Sequence, residues 1–268
     1  MVAGRGRLVR IQRWWQRRGT TLAEALRRWV WAPRPQQVKY GGARIWLHVT
    51  TEEERRYRLR AAQKEPWTIA WLESHVDPGD VVYDIGANVG VFSLVAAIAR
   101  SARVIAFEPG FANYARLCEN IHLNRCGDSI TPMPWLLADR SGMRRFEYRS
   151  LGPGQSRHVM HGSTRPLDET ERYLQPMAAI ALDDAIRQFD LPVPTHIKLD
   201  VDGGEALVLA GARATLANPR LTSVIVEAGA DTEAEVRAAL EAAGLRETTS
   251  HRREHKPDAP WYGVFRRG

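Results

Sequence analysis

The chain has 268 residues, 44% of them hydrophobic, which suits one large α/β domain with an extension and argues against two full domains. Its two cysteines, Cys118 and Cys126, lack metal-ligand spacing, which argues against a disulfide framework and for a reducing cytoplasm; no run of about 18 apolar residues offers a membrane span, and the N-terminus lacks the apolar stretch of a secretory signal. The formal net charge of +7 sits wholly in residues 1–28, where eight arginines face one acid, Glu24; the rest of the chain is formally neutral, so a nucleic-acid groove on the main domain is not expected.

Residues 5–18 read as a basic helix with Leu8, Ile11, Trp14 and Trp15 near one face. Gly19 interrupts it. Thr21 and Glu24 form a capping box for a second short helix, with Leu22, Ala25, Leu26 and Trp29 as its apolar stripe, ended by Pro33 and Pro35. Residues 5–31 hold four of the nine tryptophans beside the positive charge, a make-up suited to peripheral docking on an anionic membrane surface or on a partner. Val38–Tyr40 and Arg44–Val49 predict a hairpin turning at Gly41-Gly42. Helices are expected from about Glu52 and from Trp67 to His75, followed by a turn at Asp77-Pro78-Gly79-Asp80.

From Val81 onward strands alternate with helices. The strands are Val81–Asp84, Arg103–Glu108, Ile130–Leu137 (broken by prolines), Ile197–Asp200 and Ser223–Glu227. Helices follow from about Val89, up to Leu123, from about Glu205 to Leu216, and from about Thr232 to Ala243. That rhythm predicts a doubly wound, Rossmann-like α/β fold, a parallel sheet with helices on both faces. Arg246–Ser250 and Trp261–Phe265 add a C-terminal antiparallel hairpin at its edge. Residues 150–178, with several Gly, Pro and Ser, break the rhythm and read as a substrate-side loop.

The strongest local signal is Val82-Tyr83-Asp84-Ile85-Gly86-Ala87-Asn88-Val89-Gly90. An apolar strand runs into an Asp-x-Gly-x-x-x-Gly turn and a helix starts just beyond. Gly86 lets the chain turn sharply and Gly90 lets the backbone approach a ligand. A dinucleotide would bring its pyrophosphate to this helix end, where Asp84 would repel it. A nucleoside cofactor without phosphates, carrying cationic groups, fits better. About 20 residues on, Glu108 in Phe107-Glu108-Pro109 ends the next strand, where α/β folds hold ribose hydroxyls.

These segments resemble the FkbM family of S-adenosylmethionine-dependent methyltransferases. The resemblance continues through Cys118-Glu119-Asn120-Ile121-His122-Leu123-Asn124, Ala138-Asp139-Arg140-Ser141-Gly142, Ala181-Leu182-Asp183-Asp184, Ile197-Lys198-Leu199-Asp200-Val201-Asp202-Gly203 and Leu209-Ala210-Gly211-Ala212, with Asp202 where the family usually carries glutamate. It spans roughly residues 75–230. It implies a class I methyltransferase domain over 76–268, behind an N-terminal basic helical extension and hairpin over 1–75. It implies S-adenosyl-L-methionine as cofactor and a hydroxyl on a sugar, glycan, lipid-linked saccharide or secondary metabolite as acceptor. By position, Asp84, Gly86, Asn88 and Gly90 would form the cofactor turn, with Asp84 and Gly86 at the methionine end. Glu108 would accept both ribose hydroxyls, and Leu137, Ala138 and Asp139 would flank the adenine. Lys198, Asp200 and Asp202 would face the reacting end.

Lys198, Asp200 and Asp202 alternate, so on one strand they would share a face. A hydroxyl nucleophile gains from a base that takes its proton. Asp200 is placed best among Asp200, Asp202, His48, His161 and His196. Asp200, Asp202 and Glu205 offer oxygen ligands for Mg²⁺, but Glu205 also suits a helix N-terminus, and a required metal is not the favoured reading. The alternatives are a nucleic-acid methyltransferase, which the C-terminal Arg252, Arg253, Arg266 and Arg267 would suit, and a module that binds cofactor without turnover. Against the first, the chain has no Asn/Asp-Pro-Pro-Tyr segment; position 200 opens Asp-Val-Asp-Gly. Against the second stands the full set Asp84, Gly86, Gly90 and Glu108.

Overall fold

The computed structural model describes residues 35–40, 42–156, 158–160, 173–252 and 259–268; the basic segment 5–31, Gly41 and His161 lie outside them. Residues Gln36–Gly268 form one compact unit. It opens with the expected hairpin, β1 (Gln36–Tyr40) and β2 (Ala43–Leu47). The helix expected from Glu52 is a π-helical turn at Glu54–Arg58 followed by α1 (Ala61–Lys64); α2 (Pro66–His75) comes next.

The central sheet has seven strands. β3 (Val81–Ile85), β4 (Arg103–Phe107), β5 (Ile130–Met133), β10 (His196–Leu199) and β11 (Ser223–Ala228) are parallel. β13 (Trp261–Arg267) runs antiparallel between β11 and β12 (Leu245–Arg252), giving the order β12-β13-β11-β10-β3-β4-β5. The expected edge hairpin is therefore present, with its second strand on the inside. β3 to β5 step one way and β10 to β11 the other, so the order reverses between β3 and β10, where doubly wound folds bind ligands.

The parallel strands are apolar on both faces because helices cover both. Alternation divides them into two cores. Val82, Val104, Ala106 and Ile225 meet α3 (Val91–Ala99), α2 and the β2 residues Ile45 and Leu47. Residues 36–75, grouped by sequence with the N-terminal extension, are thus built into the core of the sheet. Tyr83, Ile85, Ile105, Phe107, Leu199 and Val226 meet α6 (Glu205–Ala210), α7 (Arg213–Ala217) and α8 (Glu233–Ala242) on the other face. The single helix expected over 205–216 breaks at Gly211, where a Cβ would lie 2.0 Å from the Ala138 carbonyl oxygen. α4 (Phe111–Leu123) follows β4.

The expected strand Ile130–Leu137 divides at Pro134. Its second part, β6 (Leu136–Leu137), joins a separate four-stranded sheet with β7 (Gly142–Tyr148), β8 (Val159–Met160) and β9 (Tyr173–Ile180), in the order β6-β9-β7-β8. Residues 173–178, expected as loop, are therefore strand; 161–172 lie outside the described residues. α5 (Leu182–Phe189) leads back to β10. Among the described residues, no helix is long and apolar enough to cross a membrane.

Candidate active site

A cavity of about 700 Å³ opens at the carboxyl ends of β3, β4, β10 and β11, at the reversal of strand order. That size lies within the range of about 300–1,000 Å³ for small-ligand sites. The turn after β3 forms one side. Gly86 sits at φ +83° with its α-carbon against β10, where a Cβ would lie 1.8 Å from the Asp200 carbonyl oxygen. Only glycine fits there. The N–H groups of Gly86 and Ala87 both donate to the Phe107 carbonyl at 3.0 Å, which ties the turn to the end of β4.

Glu108, one residue beyond β4, lines the cavity and is 5% exposed. Its Oε2 accepts the Asn88 N–H and its Oε1 the Gly110 N–H, each at 2.8 Å. Burial pushes its pKa up to about 7, and those two N–H bonds only partly offset this. Above it runs a strap, residues 153–155. Asn88 and Asn113 both donate from Nδ2 to the Gln155 carbonyl, at 2.7 and 3.0 Å. Asn113 Oδ1 accepts the Gly154 N–H at 2.8 Å, and Arg58 Nε donates to the Gly154 carbonyl at 3.0 Å. His158 lies on the wall beyond, its pKa brought down to about 4 by burial and then by the Arg58 charge.

The opposite side is built by strand parity. Asp84 pairs with Lys198 across β3 and β10, and Lys198 with Ile225 across β10 and β11. Glu227 pairs with Tyr262 across β11 and β13. Two-residue steps therefore put Asp84, Lys198, Asp200, Glu227 and Tyr262 on one face. The face is covered by α2, whose Trp67 packs on Tyr262 at 4.5 Å and whose Trp71 meets His196 edge-on at 6.1 Å. Lys198 Nζ lies 3.2 Å from Asp200 and 3.5 Å from Asp84. Asp200, with Asp84 second, holds this buried ammonium in its charged form against the cost of burial. Glu65, just before α2, completes the wall: carboxylate oxygens of Glu65, Asp200 and Glu227 all lie within 4.8 Å of one another.

The structure brings Gly86, Asn88, Glu108, Leu137, Lys198, Asp200 and Asp202 to the cavity wall. Five other expectations need correction. Asp84 does not line the cavity: on the face it shares with Lys198 it is buried against α3, where it accepts a 2.5 Å hydrogen bond from Ser93. Gly90 (φ +85°) leaves room for the Leu117 side chain, 2.4 Å from where its Cβ would stand, and not for a ligand. Ala138 is fully buried behind the wall. Asp139 turns away to Arg144 at 3.0 Å, the contact that chiefly holds its pKa below the usual carboxylate range. Asp202 shares no strand face with Lys198, since β10 ends at Leu199 and Asp202 is a turn residue with φ 55°.

Other candidates fall outside the site. His196 is at the opposite end of β10, bonded to Ser223 at 2.8 Å and Asp80 at 3.0 Å, and His48 is not on the wall. Glu205 Oε1 accepts the N–H groups of Val201 and Gly203 at 3.3 and 2.9 Å; burial carries its pKa up to about 7. It belongs to the turn, and the acid trio at the cavity is Glu65, Asp200 and Glu227 in place of Asp200, Asp202 and Glu205. Sequence reasoning also missed Arg58, His158 and Tyr262. Glu227 did carry a signal: Val224-Ile225-Val226-Glu227 is an apolar strand ending in an acid, as at Asp84 and Glu108.

A parallel doubly wound sheet with its antiparallel strand next to one edge, and an acid-lined cavity at its reversal point, are the arrangement of a class I S-adenosylmethionine-dependent methyltransferase. Residues 84–247 match the model of the methyltransferase FkbM domain, and the chain belongs to that family. It is 27% identical to the hexuronic acid methyltransferase AglP of Haloferax volcanii, covering 65% of this chain and 67% of that one. It is also 27% identical to the 31-O-demethyl-FK506 methyltransferase FkbM of Streptomyces tacrolimicus, covering 56% of this chain and 65% of that one. Among solved structures, methyltransferase FkbM from Methylobacillus flagellatus KT aligns at TM-score 0.45 and 16% identity, over 80% of this chain and 56% of that one. A precorrin-6y C5,15-methyltransferase from Geobacter metallireducens GS-15 aligns at TM-score 0.48 and 13% identity, over 77% and 88%.

The cavity suits S-adenosylmethionine on its own chemistry. It offers a buried carboxylate at Glu108 for a diol, the apolar side chain of Leu137, and three carboxylates for cationic groups. Among the described residues it offers no glycine-rich phosphate cradle; Gly86 faces backbone, not open space.

Proposed function

We propose that the protein methylates a hydroxyl oxygen, on a sugar, a glycan, a lipid-linked saccharide or a secondary metabolite. The observation that carries this is the carboxylate wall of Glu65, Asp200 and Glu227 where the acceptor would meet the cofactor. An alcohol must lose its proton as it is methylated, so a methylase of hydroxyls needs proton acceptors at that point. Two relatives support the acceptor class by name, one acting on hexuronic acid and one on a 31-O-demethyl compound. The segment Asp200-Val201-Asp202-Gly203 provides no aromatic clamp for a flipped base, which disfavours a nucleic-acid acceptor.

Bound S-adenosylmethionine supplies an electrophilic methyl on a sulfonium. In this reading Glu108 accepts the ribose hydroxyls and Asn88 orders that carboxylate. Leu137 flanks the adenine, while Ala138 and Asp139 support that wall from behind. Gly86 sets the turn at the methionine end, Gly90 seats α3 on α4, and Asp84 anchors Lys198. Lys198 in turn holds Asp200 at the reacting end, beside Asp202. Because Lys198 balances Asp200, the reading assigns no role to Mg²⁺, and a chelator is expected to leave turnover unchanged. Residues 5–31 are the proposed element for docking on an anionic lipid surface, where each arginine contributes about 1 kcal/mol.

Calorimetric titration with S-adenosylhomocysteine tests the cofactor site. Wild type should bind, and Glu108→Ala should lose affinity by about tenfold or more, since each charge-assisted hydrogen bond is worth about 1.5–3 kcal/mol. Equal affinities would remove Glu108 from the site.

A further inference from the structure

We infer that Glu227 is the catalytic base, the group that takes the proton of the acceptor hydroxyl, with Asp200 acting through Lys198 as a positioning residue. The inference rests on the hydroxyl-methylation reading and deepens it. Both carboxylates line the cavity, but they stand in different surroundings. Asp200 Oδ2 is taken by the Lys198 ammonium at 3.2 Å, a bond that also fixes where that side chain points. Protonating Asp200 would give up this charge-assisted bond. Glu227 has no ion pair of that kind among the described contacts. It faces Glu65 from the segment before α2, Asp200 and Asp202 from the end of β10, and the Tyr262 hydroxyl from β13. Among the described residues that line this cavity, the Lys198 ammonium is engaged with Asp84 and Asp200, and the Lys64 ammonium lies over the Tyr57 ring, 3.5 Å from its centre.

A carboxylate surrounded by carboxylates gains when it picks up a proton, because one of the crowded charges disappears. Burial is the larger cause and acts in the same direction, and with the charges of Asp200 and Glu65 it raises the Glu227 pKa well above the ordinary value of 4.5, against the Tyr262 hydrogen bond that lowers it. Like charges and desolvation are the means by which active sites tune a carboxylate towards the working pH, where a base is most effective. Tyr262, gripped between Trp67 and Glu227, holds the base in place.

The step balances without a further reactant. The acceptor oxygen bonds to the methyl carbon as the carbon–sulfur pair leaves with sulfur, which becomes a neutral thioether. The hydroxyl proton passes to a Glu227 oxygen. One positive charge on sulfur and one negative charge on Glu227 are extinguished together, and the proton leaves to water after product release.

The test compares wild type, Glu227→Gln, Glu227→Ala and Asp200→Asn in three measurements. S-adenosylhomocysteine affinity in Glu227→Gln should stay within about threefold of wild type. On an acceptor drawn from a panel of hydroxylated saccharides, kcat of Glu227→Gln should fall by about 10²-fold or more and lose its acid limb. Asp200→Asn should slow turnover yet keep that limb. Added formate should restore part of the activity of Glu227→Ala, which a purely structural role would not allow. Independently of any acceptor, the Glu227 carboxyl carbon in ¹³C-glutamate-labelled wild type, saturated with S-adenosylhomocysteine, should still titrate well above the ordinary carboxylate range. A Glu227 that titrates in the ordinary carboxylate range, or a Glu227→Gln enzyme within threefold of wild-type kcat, overturns the inference. So does an acid limb that disappears in Asp200→Asn and persists in Glu227→Gln. Failure of wild type to bind S-adenosylhomocysteine would instead strike the cofactor reading.

Discussion

If Glu108 holds the ribose, as proposed, the cofactor site is sensitive to pH. Its pKa is pushed up to about 7 by burial, and a ribose diol is best held by the ionised carboxylate. Below that value a proton must leave before the diol can bind, so S-adenosylhomocysteine affinity should fall by up to about tenfold per pH unit and binding should release a proton. Calorimetry in two buffers of different ionisation enthalpy reads both; affinity flat from pH 5 to pH 8 would contradict it. The sign for stability follows from the same shift. Glu108 and Glu205 both rise from 4.5 to about 7, so the folded state binds their protons more tightly, and their contribution to stability is present below about 4.5 and lost as pH climbs towards 7. Gly86 makes a sharper prediction. Alanine there meets the Asp200 carbonyl at 1.8 Å and sits at positive φ, so Gly86→Ala should cost about 3 kcal/mol or more in a denaturant melt. At this scale the acids ending apolar strands were legible, since a charge closing a buried run marks a strand emerging at a site. The covering of Asp84 was not, because which helix packs over a strand end is set by the tertiary fold and not by the strand.

The π-helical turn Glu54–Arg58 is held over the cavity by one buried group of contacts. Glu54 accepts the N–H groups of Thr50 and Thr51 at 2.7 and 3.0 Å and lies 3.3 Å from the Arg116 guanidinium on α4. Arg58 from this turn and Thr51 just before it reach the strap at Gly154 and Pro153, each at 3.0 Å. Glu54→Ala removes one of the two carboxylates on Arg116, which keeps Glu119 at 3.1 Å, and frees the Thr50 and Thr51 N–H groups; it should cost about 1–3 kcal/mol and loosen both the turn and the strap. Thermal melts and S-adenosylhomocysteine titration of Glu54→Ala check this; an unchanged melting temperature would show that the pair carries no structural load. Elements of the central sheet were legible because their apolar runs are continuous and each ends at a turn. The second sheet was not. In β7 the arginines 144 and 145 hide the buried Phe146 and Tyr148. β9 contains Pro176, which its neighbours tolerate because β6 reaches only Ala179 and Ile180. Glycines 152, 154 and 162 make the whole stretch read as loop.

At the scale of the molecule, the unit 36–268 carries its own core and cavity, while the net charge lies in residues 1–28. A chain starting at Gln36 should therefore fold and bind S-adenosylhomocysteine as the full chain does. Only the full chain should co-sediment with anionic liposomes at low salt, where arginines are least screened. If the full chain ignores such liposomes, the docking proposal fails. The fold class was legible because alternating strands and helices admit few topologies. The inward place of β13 was not, since antiparallel pairing with β11 leaves no local mark on either strand. The most direct test of the whole account is product analysis by mass spectrometry, using methyl-deuterated S-adenosylmethionine and a panel of hydroxylated saccharides, lipids and nucleic acids. Deuterated methyl found on a hydroxyl oxygen, dependent on Glu108 and Glu227, is the predicted result. Methyl found on a base nitrogen, or on no acceptor while the cofactor binds tightly, would contradict it.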